Sequence, residues 1–252
     1  MDLDLKNSNP ISVSVIIPCY NSESTISSCL ESIFYQTELP DEIIIIDDNS
    51  NDKTLSQIEL SKEKSPVKIK VLRNDENKGP GYCRNKGWEV AESTYIAFLD
   101  SDDVWVKDKI KIQKKLLKKL NYPEILGATC NLKKKYTNKI YKVSISQLLW
   151  KNPFCTSTVL LKKAINHRFE NNYYSEDFML WAKIISENNS SYCGDVLLAK
   201  PIDKRGLSRN NKQMYKGEIE AIKFISSKKS KILFLPSYLW VTLKFIKRAL
   251  GF

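Results

Sequence analysis

Four consecutive isoleucines, Ile43 to Ile46, run directly into Asp47 and Asp48. A strand that is apolar at every position has no face to offer water, so it must be covered on both sides, as in a parallel sheet sandwiched between helices. The β-branched side chains also favour an extended backbone. The pattern recurs: Val13 to Ile17 ends at Pro18, Val67 to Leu72 gives a third strand, and Tyr95 to Leu99 again ends at an acidic cluster. Helical spacing fills the intervals. Asn21 and Ser22 suit a helix start before the face Ile26, Cys29, Leu30, Ile33 and Phe34, with Pro40 closing the unit. Thr54 to Glu63 forms a second helix, and Gly79-Pro80-Gly81 turns into a third through Arg84 to Ala91. The alternation from residue 12 to about 120 predicts an α/β fold, a doubly wound, mostly parallel sheet flanked by helices.

Beyond that point the order loosens. Ile125 to Cys130, Thr158 to Leu161 and Tyr192 to Leu198 read as strands, and Asp177 to Ile185 as a helix with Leu180, Trp181, Ile184 and Ile185 inward. No internal repeat or low-complexity linker divides the chain. The expected organisation is one domain over residues 1–210 followed by a basic helical segment, 211–252. In that segment Leu239, Leu243, Ile246 and Leu250 share a stripe, with Trp240 and Phe245 beside it and Lys244, Lys247 and Arg248 nearby. Such a stripe suits either an anionic membrane surface or the protein's own core. No run of about 20 apolar residues is present to span a bilayer; Ile232 to Leu243 is short and contains Pro236. Met1 to Pro10 is polar and unlike a secretory signal. A cytoplasmic protein is expected, free or on the inner face of the cytoplasmic membrane.

The net charge of +11 attracts polyanions. Lys107 to Lys119 carries Ile112, Leu116 and Leu120 at helical spacing, which reads as a solvated helix face. A basic nucleic-acid-binding protein is the rival class, but no helix-turn-helix, RNA-recognition or zinc module signature supports it, so no nucleic-acid partner is expected. The cysteines, Cys19, Cys29, Cys83, Cys130, Cys155 and Cys193, include no C-x-x-C pair and have one histidine, His167, for company. Reduced thiols fit better than a zinc site.

In open α/β sheets ligands bind beyond the carboxyl ends of the strands. Three strand ends here are polar: Pro18, Tyr20 and Asn21; Asp47 and Asp48; and Asp100, Ser101, Asp102 and Asp103. Asp47 to Ser50 is equally readable as an Asx turn with a helix cap. Asp100 to Asp103 is different, because three carboxylates within four positions repel one another unless a cation or donors intervene. Neither G-x-x-x-x-G-K-[ST] nor a G-x-G-x-x-G after the first strand occurs, which removes an ordinary P-loop and weakens a dinucleotide site.

The segments VSVIIPCYN (Val13 to Asn21), IIIIDDNSNDKT (Ile43 to Thr54), NKGPGYCRNKG (Asn77 to Gly87) and YIAFLDSDDVW (Tyr95 to Trp105) together resemble family 2 inverting glycosyltransferases of the GT-A fold, and SEDFMLW (Ser175 to Trp181) resembles that family's acidic catalytic segment. The resemblance implies transfer of one sugar from a nucleotide-diphosphate donor, a UDP-sugar first, to a hydroxyl of a saccharide or lipid-linked saccharide in cell-surface polysaccharide or lipopolysaccharide assembly. It implies that Pro18, Tyr20 and Asn21 line the nucleotide pocket, Tyr20 against the base. Asp48 would accept a hydrogen bond from the base, with Asp47 as alternate, and Arg84 would contact the nucleotide. Asp100 would sit near the ribose, and Asp102 would hold Mn²⁺ or Mg²⁺ on the diphosphate. Asp177 would be the general base, with Glu176 as alternate. A catalytically inactive nucleotide-sugar binder is the second alternative. The Q-x-x-R-W segment of processive synthases is absent, so single-sugar addition is implied. Arg205-Gly206-Leu207-Ser208 lacks the histidine many members carry there, and His167 reads as an ordinary loop residue.

Overall fold

The isoleucine run forms β2 (Glu42–Asp47), buried at every position, and its alternate residues enter two separate cores. Ile44 and Ile46 pack with Trp88, Phe178 and Ile222, whereas Ile43 and Ile45 pack with Leu30, Ile58 and Ile110. This is the two-sided burial that a uniformly apolar strand demands. The computed structural model describes residues 11–129, 136–170, 175–187, 190–202, 211–229 and 234–249; Cys130, Arg205 to Ser208 and Leu250 lie outside the described residues.

Around β2 the first half alternates as expected: β1 (Val13–Cys19), α1 (Ile26–Phe34), α2 (Thr54–Lys62), β3 (Ile69–Arg73), α3 (Pro80–Val90) and β4 (Tyr95–Phe98). The second half adds β5 (Asp103–Trp105), α4 (Lys109–Lys119), β6 (Ile125–Ala128), β7 (Ile140–Lys142), α5 (Ile145–Leu148), a 3₁₀ turn (Thr156–Thr158) and β8 (Leu160–Lys162). It closes with α6 (Glu176–Ser186), β9 (Ser191–Gly194), β10 (Ala199–Pro201), α7 (Asn211–Lys229) and α8 (Phe234–Ala249). The main sheet has the order β3-β2-β1-β4-β8-β6-β9-β7. β3, β2, β1 and β4 are parallel, β8 and β7 run against their neighbours, and β6 and β9 pair in parallel. β5 and β10 form a small antiparallel pair. Helices α1, α2 and α4 cover one face and α3, α6 and α7 the other.

Pro18 lies inside β1, one residue beyond the strand end that the sequence implies, opposite Ile46 of β2. The missing N–H causes no loss there. Leu99 N donates to Ile16 O, so Ile16 and, by alternation, Pro18 face the β4 side. Pairing with β4 has already ended at Ile16 and Phe98. Helix α3 begins at Pro80, earlier than expected, because a first-turn N–H needs no partner within the helix. Gly79 before it has φ +83°, a conformation that favours glycine.

Gly87 lets α3 lie on β1. A Cβ there would stand 2.6 Å from Ile16 Cγ2, a side chain fixed in the central strand. Gly87→Ala should therefore lower stability by roughly 1–3 kcal/mol through overpacking, read as a lower urea midpoint at unchanged slope. A variant as stable as the parent would mean that α3 can lift away freely.

Helix α4 corrects one detail of the sequence reading. Ile110, Gln113 and Leu117 are its buried face, together with Lys109, while Ile112, Leu116 and Leu120 are only half-buried. Polar residues can turn inward because they are satisfied there. Gln113 Nε2 donates to Leu126 O and Thr158 O at 3.2 and 2.8 Å, and Lys109 Nζ donates to Gln113 Oε1 at 2.6 Å, 3.9 Å from the Trp105 ring centroid. Helix α7 joins the core through Ile219, Ala221, Ile222 and Ile225. Pro236 occupies the first turn of α8, where it does not interrupt the helix. The α8 stripe, which the sequence leaves open between a membrane surface and the core, is exposed at Leu239, Leu243 and Ile246, while Val241 is buried. Among the described residues no helix is long and apolar enough to cross a membrane.

Candidate functional site

Because β2 and β4 run parallel to β1 on its two sides, Asp47-Asp48 and Asp100 to Asp103 leave the sheet at one edge, on either side of Pro18 to Asn21. Hydrogen bonds tie these strand ends together. Ser22 Oγ and Ser101 Oγ are 2.8 Å apart, Asn21 N donates to Ser50 Oγ at 3.0 Å, and Asn51 N donates to Asn21 Oδ1 at 2.9 Å. Asn21 has φ 48°, the left-handed region that asparagine tolerates better than most residues. Pro18 is buried beneath this rim, while Tyr20 stands 46% exposed, an aromatic face left open to a ligand.

The two adjacent aspartates have separate jobs. Asp47 is fully buried and makes the turn: Ser50 N donates to Oδ2 at 3.3 Å and Arg73 Nε lies 3.2 Å from the same oxygen. Asp48 reaches across to the segment before α3. Its Oδ1 accepts from Asn74 Nδ2 (2.7 Å) and Lys78 N (2.9 Å), and its Oδ2 accepts from Gly79 N (2.7 Å). Asp48 thereby fixes the N-terminus of α3, and hence the position of Arg84 one turn further on.

Arg84 connects the two halves of the chain. It is buried, with Nη2 on Asp100 Oδ1 at 2.6 Å and Nη1 on Glu176 Oε1 at 2.7 Å. Phe169 lies under the guanidinium, 5.3 Å from its carbon. Burial opposes the charge, but Asp100 and then Glu176 outweigh it and hold the guanidinium pKa above its usual value. Both terminal nitrogens are thus committed to carboxylates, which makes Arg84 a brace beneath the site. Gly81 permits the approach, since a Cβ there would meet Glu176 Cγ at 3.2 Å.

Glu176 and Asp177 open α6, where carboxylates favour the helix dipole. Ser175 before them has φ 64°, a strained conformation for a residue with a side chain, and such strain gathers at functional sites. Asp177 Oδ2 accepts from Thr156 Oγ1 (3.0 Å) and Asn152 Nδ2 (3.3 Å), and Oδ1 accepts from its neighbour Phe178 N at 2.7 Å. Burial raises both carboxyl pKa values, opposed by Arg84; Asp177 adds to the rise at Glu176, and Asp100 to that at Asp177. Asn152, Thr156 and Ser157 escaped the sequence reading. Ser157 Oγ accepts from Asp100 N at 3.1 Å, so the 3₁₀ turn carries contacts to both acidic segments. The only hint was a run of three hydroxyl residues just before a strand. His167 is paired with Glu187 at 2.7 Å on the surface, away from these groups.

The acidic loop offers oxygen donors only. Asp103, largely buried, is pushed up to about 7 by burial and by Asp100, eased by a hydrogen bond with Ser157 and raised further by Asp102. Burial and the neighbouring carboxylates thus oppose the charge on Asp103, and the loop's side-chain donors are all oxygens, the type that Mg²⁺ and Mn²⁺ take. Among the described residues no three acidic, histidine or cysteine side chains form a closed metal cage; Mg²⁺ typically takes one or two carboxylates and leaves the rest to phosphates and water. The nearby thiols are inert structural groups: burial, then neighbouring carboxylates, push Cys19 and Cys29 upward.

Comparison with known proteins agrees with this geometry. Residues 14–171 match the model of "Glycosyl transferase family 2". The chain is 30% identical over 243 residues to the UDP-Glc:alpha-D-GlcNAc-diphosphoundecaprenol beta-1,3-glucosyltransferase WfgD of Escherichia coli, covering 92% of this chain and 94% of that protein. Among solved structures, S. aureus TarS 1-349 in complex with UDP-GlcNAc superposes with a TM-score of 0.74 at 22% identity, over 93% of this chain and 73% of that one. The mannosyltransferase PcManGT from Pyrobaculum calidifontis, in complex with GDP-Man and Mn²⁺, does so with a TM-score of 0.71 at 19% identity, over 98% and 78%. These likenesses bear out the GT-A fold, and the family match with its long-range relative shows that the chain is a glycosyltransferase and belongs to family 2.

Proposed function

We propose that this glycosyltransferase moves one sugar from a UDP-sugar to a hydroxyl of a lipid-linked saccharide, with inversion at the sugar carbon, in cell-surface polysaccharide or lipopolysaccharide assembly. The observation that carries the reading is the Arg84 fork, which draws Asp100 of the donor rim and Glu176 of the α6 N-terminus onto one guanidinium. The donor carboxylates and the neighbouring Asp177 therefore work on one substrate pair.

In this reading Pro18, Tyr20 and Asn21 line the nucleotide pocket, with the Tyr20 ring against the base. Asp48, held at the rim by Asn74, Lys78 and Gly79, is the carboxylate that meets an N–H of uracil in this reading. Asp100 faces the ribose, and Asp102 with its acidic neighbours holds Mn²⁺ or Mg²⁺. A cation bound there supplies positive charge against the charge growing on the departing diphosphate. Asp177 takes the proton of the acceptor hydroxyl as its oxygen attacks the anomeric carbon, and the nucleotide diphosphate leaves from the opposite face. Thr156 and Asn152 aim the carboxylate. Glu176, occupied by Arg84, supports the site as its counter-charge. WfgD is named for UDP-glucose and a diphosphoundecaprenol-linked acceptor; that pair is the first to test here, and it would put the chain at the inner face of the cytoplasmic membrane.

The test is a panel of nucleotide sugars, scored by thermal stabilisation with and without Mn²⁺ and by slow hydrolysis. A donor at about 100 times its Kd adds about 2.7 kcal/mol, which raises the melting temperature by roughly 5–10 °C for a chain of this size. Asp102→Ala should lose the Mn²⁺-dependent part of that rise. If no nucleotide sugar stabilises or is hydrolysed with either metal, the donor assignment fails.

A further inference from the structure

Helix α8 has one side attached to the protein and one side bare. On the attached side Val241 is buried, the Phe245 and Tyr215 rings are 4.8 Å apart, Tyr215 Oη lies 3.0 Å from Thr242 Oγ1, and Lys244 Nζ pairs with Glu218 at 2.9 Å. On the other side Leu235, Leu239, Trp240, Leu243 and Ile246 are 63%, 52%, 49%, 59% and 45% exposed. The patch continues onto the next element, because Trp240 Nε1 donates to Trp150 O at 3.0 Å and Trp150 is itself 46% exposed. Trp150 is two residues from Asn152, whose amide donates to Asp177. The bare face and the proposed base are therefore joined by one short loop.

We propose that the outer face of α8, extended by Trp150, docks on an anionic lipid bilayer and delivers the acceptor to Asp177 from that side. Charge selects the lipid over a second copy of the chain. Beyond Glu220 the sequence contains lysines and an arginine but no Asp or Glu, and Lys247 is exposed among the leucines. Lys244 is already paired with Glu218, but two such faces apposed would bring the Lys247 side chains together on helices that contain no carboxylate. Anionic headgroups neutralise them while the leucines enter the acyl boundary. Exposed indoles are also typical of that interface, where an apolar ring and a polar N–H are both accommodated. The position beside Asp177 rests on the lipid-linked acceptor proposed above; the docking does not, because it needs neither donor nor acceptor.

Flotation of the full chain with vesicles tests this directly. Binding to phosphatidylcholine vesicles holding about 30% phosphatidylglycerol should exceed binding to phosphatidylcholine alone by roughly tenfold or more, and should weaken with salt. Lys247→Glu should reduce it about fivefold or more, and Leu239→Ser with Leu243→Ser about tenfold or more. These side chains are exposed, so the variants should melt near the parent and hydrolyse donor in lipid-free buffer at the parent's rate. That hydrolysis assays the glycosyltransferase site separately from docking. Absence of binding, equal binding to neutral vesicles, or variants that float like the parent would overturn the proposal. Self-association abolished by the paired serine substitutions, with no lipid binding, would assign the face to a second copy instead.

Discussion

Asp177→Asn is expected to lower turnover by about two to four orders of magnitude, the usual contribution of a positioned general base, while leaving nucleotide-sugar binding within about twofold. The amide matches the carboxylate in shape and can still meet Thr156, but it cannot take a proton. Donor binding is expected to be unaffected, because in the proposed reading Asp48 and Asp102 would act at the strand ends rather than at the start of α6. Burial raises the Asp177 pKa above the ordinary carboxylate range, against the pull of Arg84. The group must be ionised to act, so the rate should fall as pH is lowered through that raised value, on a limb that Asp177→Asn lacks. The same shift has a consequence for stability. A carboxyl that holds its proton more tightly when folded favours folding at low pH, and that advantage is lost as pH rises from the unfolded value through the folded one. At pH 8 the asparagine variant should therefore melt no earlier than the parent. Single-turnover rates across pH, paired with melting curves, check both statements. A variant with near-parental turnover would remove Asp177 from the mechanism and point to Glu176.

Arg84→Met is expected to cost about 3 kcal/mol of stability, at the lower end of the range for breaking a buried ion pair, and to abolish transfer. The cost arises less from the lost attraction than from what remains: Asp100 and Glu176, whose side chains are 34% and 14% exposed, lose their shared counter-charge. Asp100 is the more open of the two and can turn to water, which keeps the figure low. For a chain of this size the melting temperature should drop by roughly 6–12 °C. Adding Glu176→Gln to Arg84→Met should recover part of the loss, because it removes one stranded carboxylate. A double-mutant cycle measures that coupling. If Arg84→Met melts like the parent, or if the second substitution recovers nothing, the fork does not hold the two halves together.

These two residues also mark how far the sequence could be read. Asp177 was reached through a motif, SEDFMLW, and by its place before an apolar helix face. Arg84 was also reached through a motif, as a nucleotide contact, yet its guanidinium lies on Asp100 and Glu176. A one-dimensional pattern preserves the residue type but not its partners, and Glu176 is 92 positions away. Asn152 carried no signal and Thr156 only that of a hydroxyl run, because hydroxyl and amide residues in a loop look alike whether they aim a carboxylate or face water.

By itself the sequence determined the alternation of buried strands and helices, the two-sided burial of Ile43 to Ile46, and the arrival of acidic residues at strand ends. Those follow from local periodicity and from the cost of exposing apolar strands to water, and both act over a few residues. Only the tertiary structure decided that Asp48 and Asp100 share a rim, that Arg84 braces it, and that α4 buries Lys109 and Gln113 instead of an all-apolar stripe. It alone decided which side of α8 is bare, since an amphipathic stripe is the same string of letters against a core or against lipid. The choice depends on what α7 offers, and Tyr215 and Glu218 hold the opposite side.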